Sequence, residues 1–362
     1  MKVLHAASST DPAPGVVRQM GEEQAAADAL GIHWRALFFV PEGTPGKVCV
    51  AARARVVNRV AFKREYYQWL ADEMERYDLL VLRYLRYDLF QYRFLRRFRK
   101  PVILVHHTLE GPQIVQEGGL SARFKWLLDE ALISRCHRHA VGLMAVTDEI
   151  AAYEVARGAK PGATWIYPNG ILYLDTPVVG ALGASASPEF LFVASRFVEW
   201  HGLDLVVESA RKTDAPFTLH LVGELSVEQR ESVADDARFV VHGSLPPAAV
   251  ERIAAGCVLG LGSFALHRKS MHQACTLKVR EYLRAGLPVY AGHRDVFADD
   301  FPWFRHGACD IPHMLQYAEE CHGTERQQVA SDARPWIDKR ALLSSLFSDL
   351  SASVVLLDDH VA

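Results

Sequence analysis

The chain has 362 residues, 50% hydrophobic and 23% charged, with a formal net charge of −3. It is long enough for two domains and apolar enough for large buried cores, which excludes general disorder. The slightly acidic balance excludes a globally basic nucleic-acid binder, and no apolar run is long enough for a transmembrane helix.

The opening Met1-Lys-Val-Leu-His-Ala-Ala-Ser-Ser9 is too short an apolar run for a signal peptide and reads as a first strand. Cys49, Cys136, Cys257, Cys275, Cys309 and Cys321 are scattered without C-x-x-C spacing. Reduced, mostly buried thiols are expected rather than disulfides or a zinc site, with the cytoplasm as the natural compartment. The sixteen histidines form no H-E-x-x-H or comparable grouping, so no metal is expected, and His137-Arg138-His139 reads as an exposed helix end.

A polar loop from Ser8 to Gly15 follows the first strand, and a helix is predicted over 16–30. No G-x-G-x-x-G occurs there, which disfavours a dinucleotide site. Leu37–Val40 reads as a strand, 51–76 as a long helix and 78–82 as the next strand. The segment 83–100 interleaves seven basic residues with Phe and Tyr. It suits either an amphipathic helix packing its aromatics into the domain or an interface with anionic lipid headgroups or an anionic acceptor. Val102–Val105 is a buried strand ending in His106-His107-Thr108, and groups at such strand ends face the ligand crevice of open α/β sheets. A helix over 123–139, a strand over 142–147, a helix over 148–157 and the run Trp165 to Ile171 complete the first half.

Residues 173–188 read as a linker. Beyond it, strand Phe190–Ser195 leads into Arg196 and then Trp200-His201-Gly202. Strands at 218–222, 239–242 and 258–262 and a helix at 246–255 continue the alternation. The basic loop His267-Arg268-Lys269 would suit an anionic ligand or stand exposed. The stretch Gln273 to Tyr290 reads as loop, short helix, turn and strand, with Thr276 as N-cap, Gly286 at C′ and Pro288 as the stop. Lys278 lies in the first helical turn and shares a face with Glu281. A helix N-terminus with a lysine suits a diphosphate, and a carboxylate one turn deeper can accept from ribose hydroxyls; a solvated Lys-Arg-Glu face is the plainer alternative. A turn at Trp303-Phe304, a helix near 313–321 and a final helix around 336–356 close the chain.

The stretch Thr276-Leu-Lys-Val-Arg-Glu-Tyr-Leu-Arg-Ala-Gly-Leu-Pro-Val289 resembles the donor-site segment of retaining glycosyltransferases of family 4, which have the two-domain GT-B fold. That segment usually reads Glu, seven residues, Glu; the second glutamate falls on Glu281 and the first on Gln273, a departure. The resemblance implies donor contacts from Arg196, Gln273, Leu277, Lys278 and Glu281, with His201 standing where the family has a lysine. It implies further that Gly15 faces the reaction centre and that His107 and Thr108 lie by the reacting sugar. Pro168-Asn169-Gly170-Ile171 matches a signature just before the interdomain linker.

The expectation is an α/β chain of GT-B type: two Rossmann-like doubly wound domains facing a central cleft. Residues 1–172 would form the acceptor side and 189–335 the nucleotide-sugar domain. A last helix from Trp336, within 336–362, would cross back to the first. The implied activity is retaining transfer of a sugar from a nucleotide-diphosphate donor to a glycan or lipid-linked acceptor. His107, Arg196 and Lys278 would serve catalysis, without cofactor or metal, since no D-x-D occurs. The partners are then a nucleotide sugar, a saccharide or lipid-linked acceptor and an anionic membrane surface on the cytoplasmic side. A non-catalytic GT-B nucleotide-sugar-binding subunit and a GT-B nucleotide-sugar epimerase are the alternatives.

Overall fold

The computed structural model describes residues 1–42, 50–54, 58–173, 177–183 and 187–358. The chain divides into two compact units, Met1–Leu172 with the stretch from Lys339 onward, and Tyr173–Asp338.

The first unit is built on seven parallel strands: β1 (Val3–Ser8), β2 (Trp34–Pro41), β3 (Val50–Ala54), β4 (Leu79–Arg83), β5 (Val102–His106), β6 (Gly142–Ala145) and β7 (Thr164–Ile166). Their order is β3-β2-β1-β4-β5-β6-β7. The central strands are near-continuous apolar runs because a parallel sheet is covered on both faces. One face packs Leu4, Ala6, Leu80, Leu82 and Leu104 under the helix Arg59–Glu73; the other packs Val3, Val81, Ile103 and Val105 with Leu343, Leu346 and Leu350 of the last helix, Lys339–Asp358. The buried Glu23 of helix Pro14–Leu30 accepts from His5 (2.6 Å) and Trp34 (2.7 Å), which ties that helix to β1 and β2.

The second unit has six parallel strands: β8 (Glu189–Arg196), β9 (Thr218–Glu224), β10 (Phe239–Gly243), β11 (Leu259–Leu261), β12 (Val289–Ala291) and β13 (Phe304–His306), in the order β10-β9-β8-β11-β12-β13. Both sheets thus reverse direction of growth beside their first strand, and ligands bind outside the carboxyl ends of strands at such a reversal. The places to search are the ends of β1 and β4 in one unit and of β8 and β11 in the other.

Several sequence expectations are corrected. Helix 51–76 is instead strand β3 followed by helix Arg59–Glu73, because 50–54 pairs with β2; Arg55 and Cys49 lie outside the described residues. The first helix starts at Pro14, so Gly15 stands in its first turn and not in a loop. Phe304 begins β13 rather than a turn, and a further helix, Arg326–Ile337, precedes the last one. Trp336 ends that helix and packs on the second unit's core, while the chain re-enters a helix only at Lys339.

The described part of the predicted linker is no free strap. Tyr173 and Leu182 are buried in the second unit's core, and 177–183 runs along 323–327 through Leu182 N–H to Thr324 O (2.8 Å), Gly323 N–H to Leu182 O (2.9 Å) and Arg326 N–H to Gly180 O (2.9 Å). His137 is buried on Glu154, not exposed.

Leu343 is fully buried among residues of β1 and β5. Leu343→Ala should therefore cost the first unit about 2–5 kcal/mol, read as lost hydrogen-exchange protection in β1 and β5. Unchanged protection there would mean that the last helix does not support this core.

Candidate functional site

In the first unit the ends of β1, β4 and β5 surround a cavity of about 320 Å³ whose lining includes Ser8, Asp11, Arg83, His107, Glu110 and Gln113. His107 is half-buried, and its pKa is held well below the ordinary histidine value by burial and by Arg83, His5, Lys339 and His106. It is neutral, able to donate from one ring nitrogen and accept at the other. The neighbouring His106 is fully buried, with Nδ1 3.1 Å from Glu110 and 3.5 Å from Glu154. Burial opposes its charge, but Glu154 and Glu110 outweigh that and raise its pKa. Two adjacent histidines thus carry opposite protonation preferences. Thr108 accepts from Gln113 Nε2 at 2.7 Å. Gly15 is not among the residues lining this cavity; its neighbours Ala13 and Val16 are.

In the second unit the helix Leu277–Arg284 begins after the loop that follows β11. Gly286 ends it at φ 71°, and a Cβ there would meet Arg326 Cβ at 2.5 Å, so the position needs glycine twice over. Thr276 makes no capping bond; its hydroxyl is buried and unpartnered. Lys278 is half-buried, yet its ammonium nitrogen is sealed, with no hydrogen-bond partner among the described residues, 5.1 Å over the Phe192 ring. Burial pulls its pKa down to about 7, against the opposing field of Glu281. His293, after β12, is also buried with an unpartnered Nε2, while its Nδ1 bonds Arg294 O at 3.0 Å. Buried polar atoms without partners among the described residues, two at the helix start and one in the loop after β12, are costly unless something arrives to meet them.

His201 ends the short turn Glu199–His201, and its Nδ1 accepts from Val198 N–H at 3.1 Å, which leaves Nε2–H as a donor. Its pKa falls to about 3 through burial, Lys278 and Lys269, so it offers a hydrogen bond and no charge. Gly202 follows at φ 73°, where a Cβ would come within 3.0 Å of Ala265 N and Phe264 Cβ. Arg196 lies apart from this group, exposed and paired with Glu224 at 3.2 Å.

Gln273 is buried and donates from Nε2 to Asp295 O at 3.2 Å. Leu277 is half-buried at the helix start. Glu281, half-buried, lines a second cavity of about 490 Å³ with Leu191, Val193, Leu245 and Arg284. Arg280, which the plainer alternative put on a solvated face, is fully buried and holds Asp295 by two bonds of 2.5 and 2.6 Å. In the basic loop, Arg268 is taken by Asp204 at 2.6 Å and Lys269 lies 4.4 Å over Trp200. Sequence reasoning missed His293 and the Arg280–Asp295 pair; a histidine at the end of strand β12 was the available signal for the first.

A separate surface of the first unit bears on partners. Phe90, Tyr92, Phe94 and Phe98 pack toward the core while Arg93, Arg96, Arg97 and Arg99 stand exposed. Beside them the helix Gly119–His139 exposes Leu120 (82%), Phe124 (69%) and Leu127 along one stripe. No helix among the described residues is long and apolar enough to cross a membrane.

No protein-family model matches the chain, and no curated protein sequence matches it. Solved structures do. The lipopolysaccharide outer core galactosyltransferase WaaB, in its apo form, is similar at TM-score 0.65 and 11% identity, covering 96% of this chain and all of WaaB. HepE of Anabaena in complex with UDP and glucose is similar at TM-score 0.66 and 14% identity, covering 97% of this chain and all of HepE. A Listeria monocytogenes protein assigned as a UDP-N-acetylglucosamine 2-epimerase is similar at TM-score 0.54 and 12% identity, with 97% of each chain covered. The fold is that of the two-domain GT-B proteins.

The lowered pKa of Lys278 makes a prediction before any ligand is added. The unfolded lysine titrates near 10.5 and the folded one near 7, so the unfolded chain binds more protons across that window. Stability contributed by this group rises with pH from about 7 toward 10.5 and is least below 7. Lys278→Met should raise the unfolding midpoint at pH 7 and flatten its pH dependence from 7 to 10. A lower midpoint in Lys278→Met would show that the ammonium has a counterion in the native state.

Proposed function

We propose that the chain is a retaining glycosyltransferase that moves a hexose from a nucleotide-diphosphate donor to a glycan or lipid-linked acceptor. The observation that carries this reading is the sealed Lys278 ammonium, with the orphaned Thr276 hydroxyl, at a helix start next to the topological reversal of the second sheet, and the orphaned His293 Nε2 in the loop after β12. A diphosphate supplies what that arrangement lacks: negative charge for Lys278 and the helix N–H groups, and acceptors for the hydroxyl and for His201 Nε2–H. Glu281 then accepts from the ribose hydroxyls, with the nucleoside along the cavity of Leu191, Val193 and Leu245. Arg196 gives up little by leaving Glu224 for a phosphate, because exposed pairs are weak.

Chemistry follows from the same groups. As the bond from the anomeric carbon to the diphosphate lengthens, charge grows on the leaving oxygens, and Lys278 with the helix N–H groups stabilises it. Among the residues of the donor group none stands as a carboxylate nucleophile, since Asp295 is held by Arg280. The reading is therefore attack on the same face, with the leaving phosphate taking the acceptor proton. Neutral His107 hydrogen-bonds on the acceptor side and serves transfer rather than nucleotide binding. The Listeria neighbour keeps an epimerase in view, but that chemistry needs uncommitted acid/base carboxylates at the sugar. A non-catalytic binder is the remaining alternative.

The same reading places the protein on an anionic lipid surface. The Leu120, Phe124 and Leu127 stripe supplies apolar insertion, and the exposed arginines of 93–99 supply charge.

HepE's complex holds UDP and glucose, so UDP-glucose is the first donor to test. Glu281→Ala should weaken UDP binding by about 1.5–3 kcal/mol in calorimetry, whereas His107→Ala should leave UDP affinity intact and slow sugar transfer. Released UDP indicates transfer or hydrolysis, an altered nucleotide sugar an epimerase, and neither a binder. UDP affinity unchanged in Glu281→Ala would remove Glu281 from the donor site.

Co-sedimentation with phosphatidylglycerol vesicles should be strong at low salt, weaken as salt rises, and be lost in the double variant Leu120→Glu, Phe124→Glu. Binding that ignores both salt and these substitutions would refute the lipid surface.

A further inference from the structure

We propose that Glu189, His220 and Cys257 hold a divalent transition-metal ion, zinc by the character of the donors, at the amino-terminal edge of the second sheet. The donor atoms, a carboxylate oxygen, an imidazole nitrogen and a thiol sulfur, all lie within 4.8 Å of one another. A zinc ion bound at ordinary lengths keeps such atoms roughly 3.3–3.8 Å apart, so small side-chain rotations suffice. Glu189 Oε2 and His220 Nε2 are now 2.9 Å apart and would open by a few tenths of an ångström to admit it.

The backbone holds the three donors in place. Glu189 is the first residue of β8, and its carbonyl accepts from Val258 N–H, directly after Cys257, at 2.8 Å. Cys257 terminates the helix Pro247–Gly256, and His220 lies in β9, which pairs with β8. The ligands therefore come from three different backbone segments. Glu189 is partly exposed, its side chain at 44%, which gives an ion a way in.

An outer partner is present too. His220 Nδ1 lies 2.9 Å from His242 Nε2 on β10. With Nε2 on the metal, Nδ1 carries the proton and donates to His242, which fixes ring orientation and tautomer. Without metal the thiol makes one weak bond, to Ile253 O at 3.3 Å. A thiol binds zinc as the thiolate, so metal uptake is coupled to release of a proton. The Arg326 guanidinium, bonded to the Cys257 and Ala255 carbonyls, lends positive charge that favours the thiolate. Thiolate, carboxylate and imidazole together suit zinc rather than magnesium or calcium.

The other cluster of three such side chains among the described residues, His106, His137 and Glu154, does not qualify. Its carboxylate is already bound by Arg157 at 2.9 Å, and all three residues are buried.

The test uses the full chain, stripped with chelator and titrated with Co²⁺ alone. We expect one equivalent to give a thiolate-to-cobalt band in the near ultraviolet with visible bands of four-coordinate cobalt, displaced by Zn²⁺. Stoichiometric Zn²⁺ should raise the unfolding midpoint, and metal uptake should release about one proton from the thiol. Cys257→Ser should abolish the near-ultraviolet band. Should that variant fail to fold, His242→Gln, outside the ligand set, should keep the band and weaken Co²⁺ binding about 10–100-fold. A wild type without the band, a band that survives Cys257→Ser, or affinity unchanged in His242→Gln would overturn the proposal.

Discussion

The helix Leu277–Arg284 buries two cations two residues apart, and the chain supplies a carboxylate for one of them. Arg280 is held by Asp295 through two short parallel bonds, a geometry that repays desolvation only because both partners are fully matched. Much of the surrounding loop structure hangs on this pair. It draws 294–295 against 272–274, where Arg294 N–H meets His272 O and Ala274 N–H meets Arg294 O, both at 3.0 Å. The helix start is thereby fixed, and with it Thr276, Lys278 and, from the next loop, His293. Lys278 has been left without such a partner, and that asymmetry separates a structural cation from one that awaits an anion.

Much of this was legible in the sequence, for identifiable reasons. Strands buried on both faces must be continuous apolar runs, so Leu79–Leu82 and Val102–Val105 stand out. Glycine and proline at 286 and 288 punctuate the helix Leu277–Arg284 without ambiguity. The failures have physical causes. Val50–Ala54 is rich in alanine and arginine, good helix formers, but an edge position beside β2 overrides that preference. Helix Arg326–Ile337 carries Pro335 near its end and was hidden by it. The burial of Arg280 was not legible because a sequence shows a charge and not the Asp295 that neutralises it. Glu189 and His220, 31 residues apart, meet only because parallel pairing of β8 with β9 sets Glu189 opposite Thr218, two residues before His220 and on the same face.

The two adjacent histidines at the end of β5 show how local surroundings set chemistry. His106, the last residue of β5, points into the interior, where Glu110 and Glu154 favour its charged form; His107, just past the strand end, lines the cavity with Arg83. Each cation near His107, His106 included, pushes it further toward neutrality. Burial and the Arg83 guanidinium, with smaller contributions from its other neighbours, therefore hold the cavity histidine as an uncharged donor and acceptor. Asp129 and Glu154, bonded to Arg157 at 2.8 and 2.9 Å, anchor the carboxylate side of this arrangement.

Gln273, where the chain departs from the glutamate of the enzymes it resembles, has a local physical reason. Its amide nitrogen donates to the Asp295 carbonyl. A glutamate in that rotamer would set a carboxylate oxygen against a carbonyl oxygen, two acceptors with no proton between them. Arg280 is committed in both branches of its guanidinium to Asp295, and the backbone of Gln273 bridges that of Arg294. Gln273 thus fits a loop in which Arg280 is spent on structure, its amide meeting the carbonyl of the residue that Arg280 holds. On the proposed reading, negative charge at the donor sugar then comes from the leaving phosphate, in keeping with a Lys278 ammonium that has no hydrogen-bond partner among the described residues.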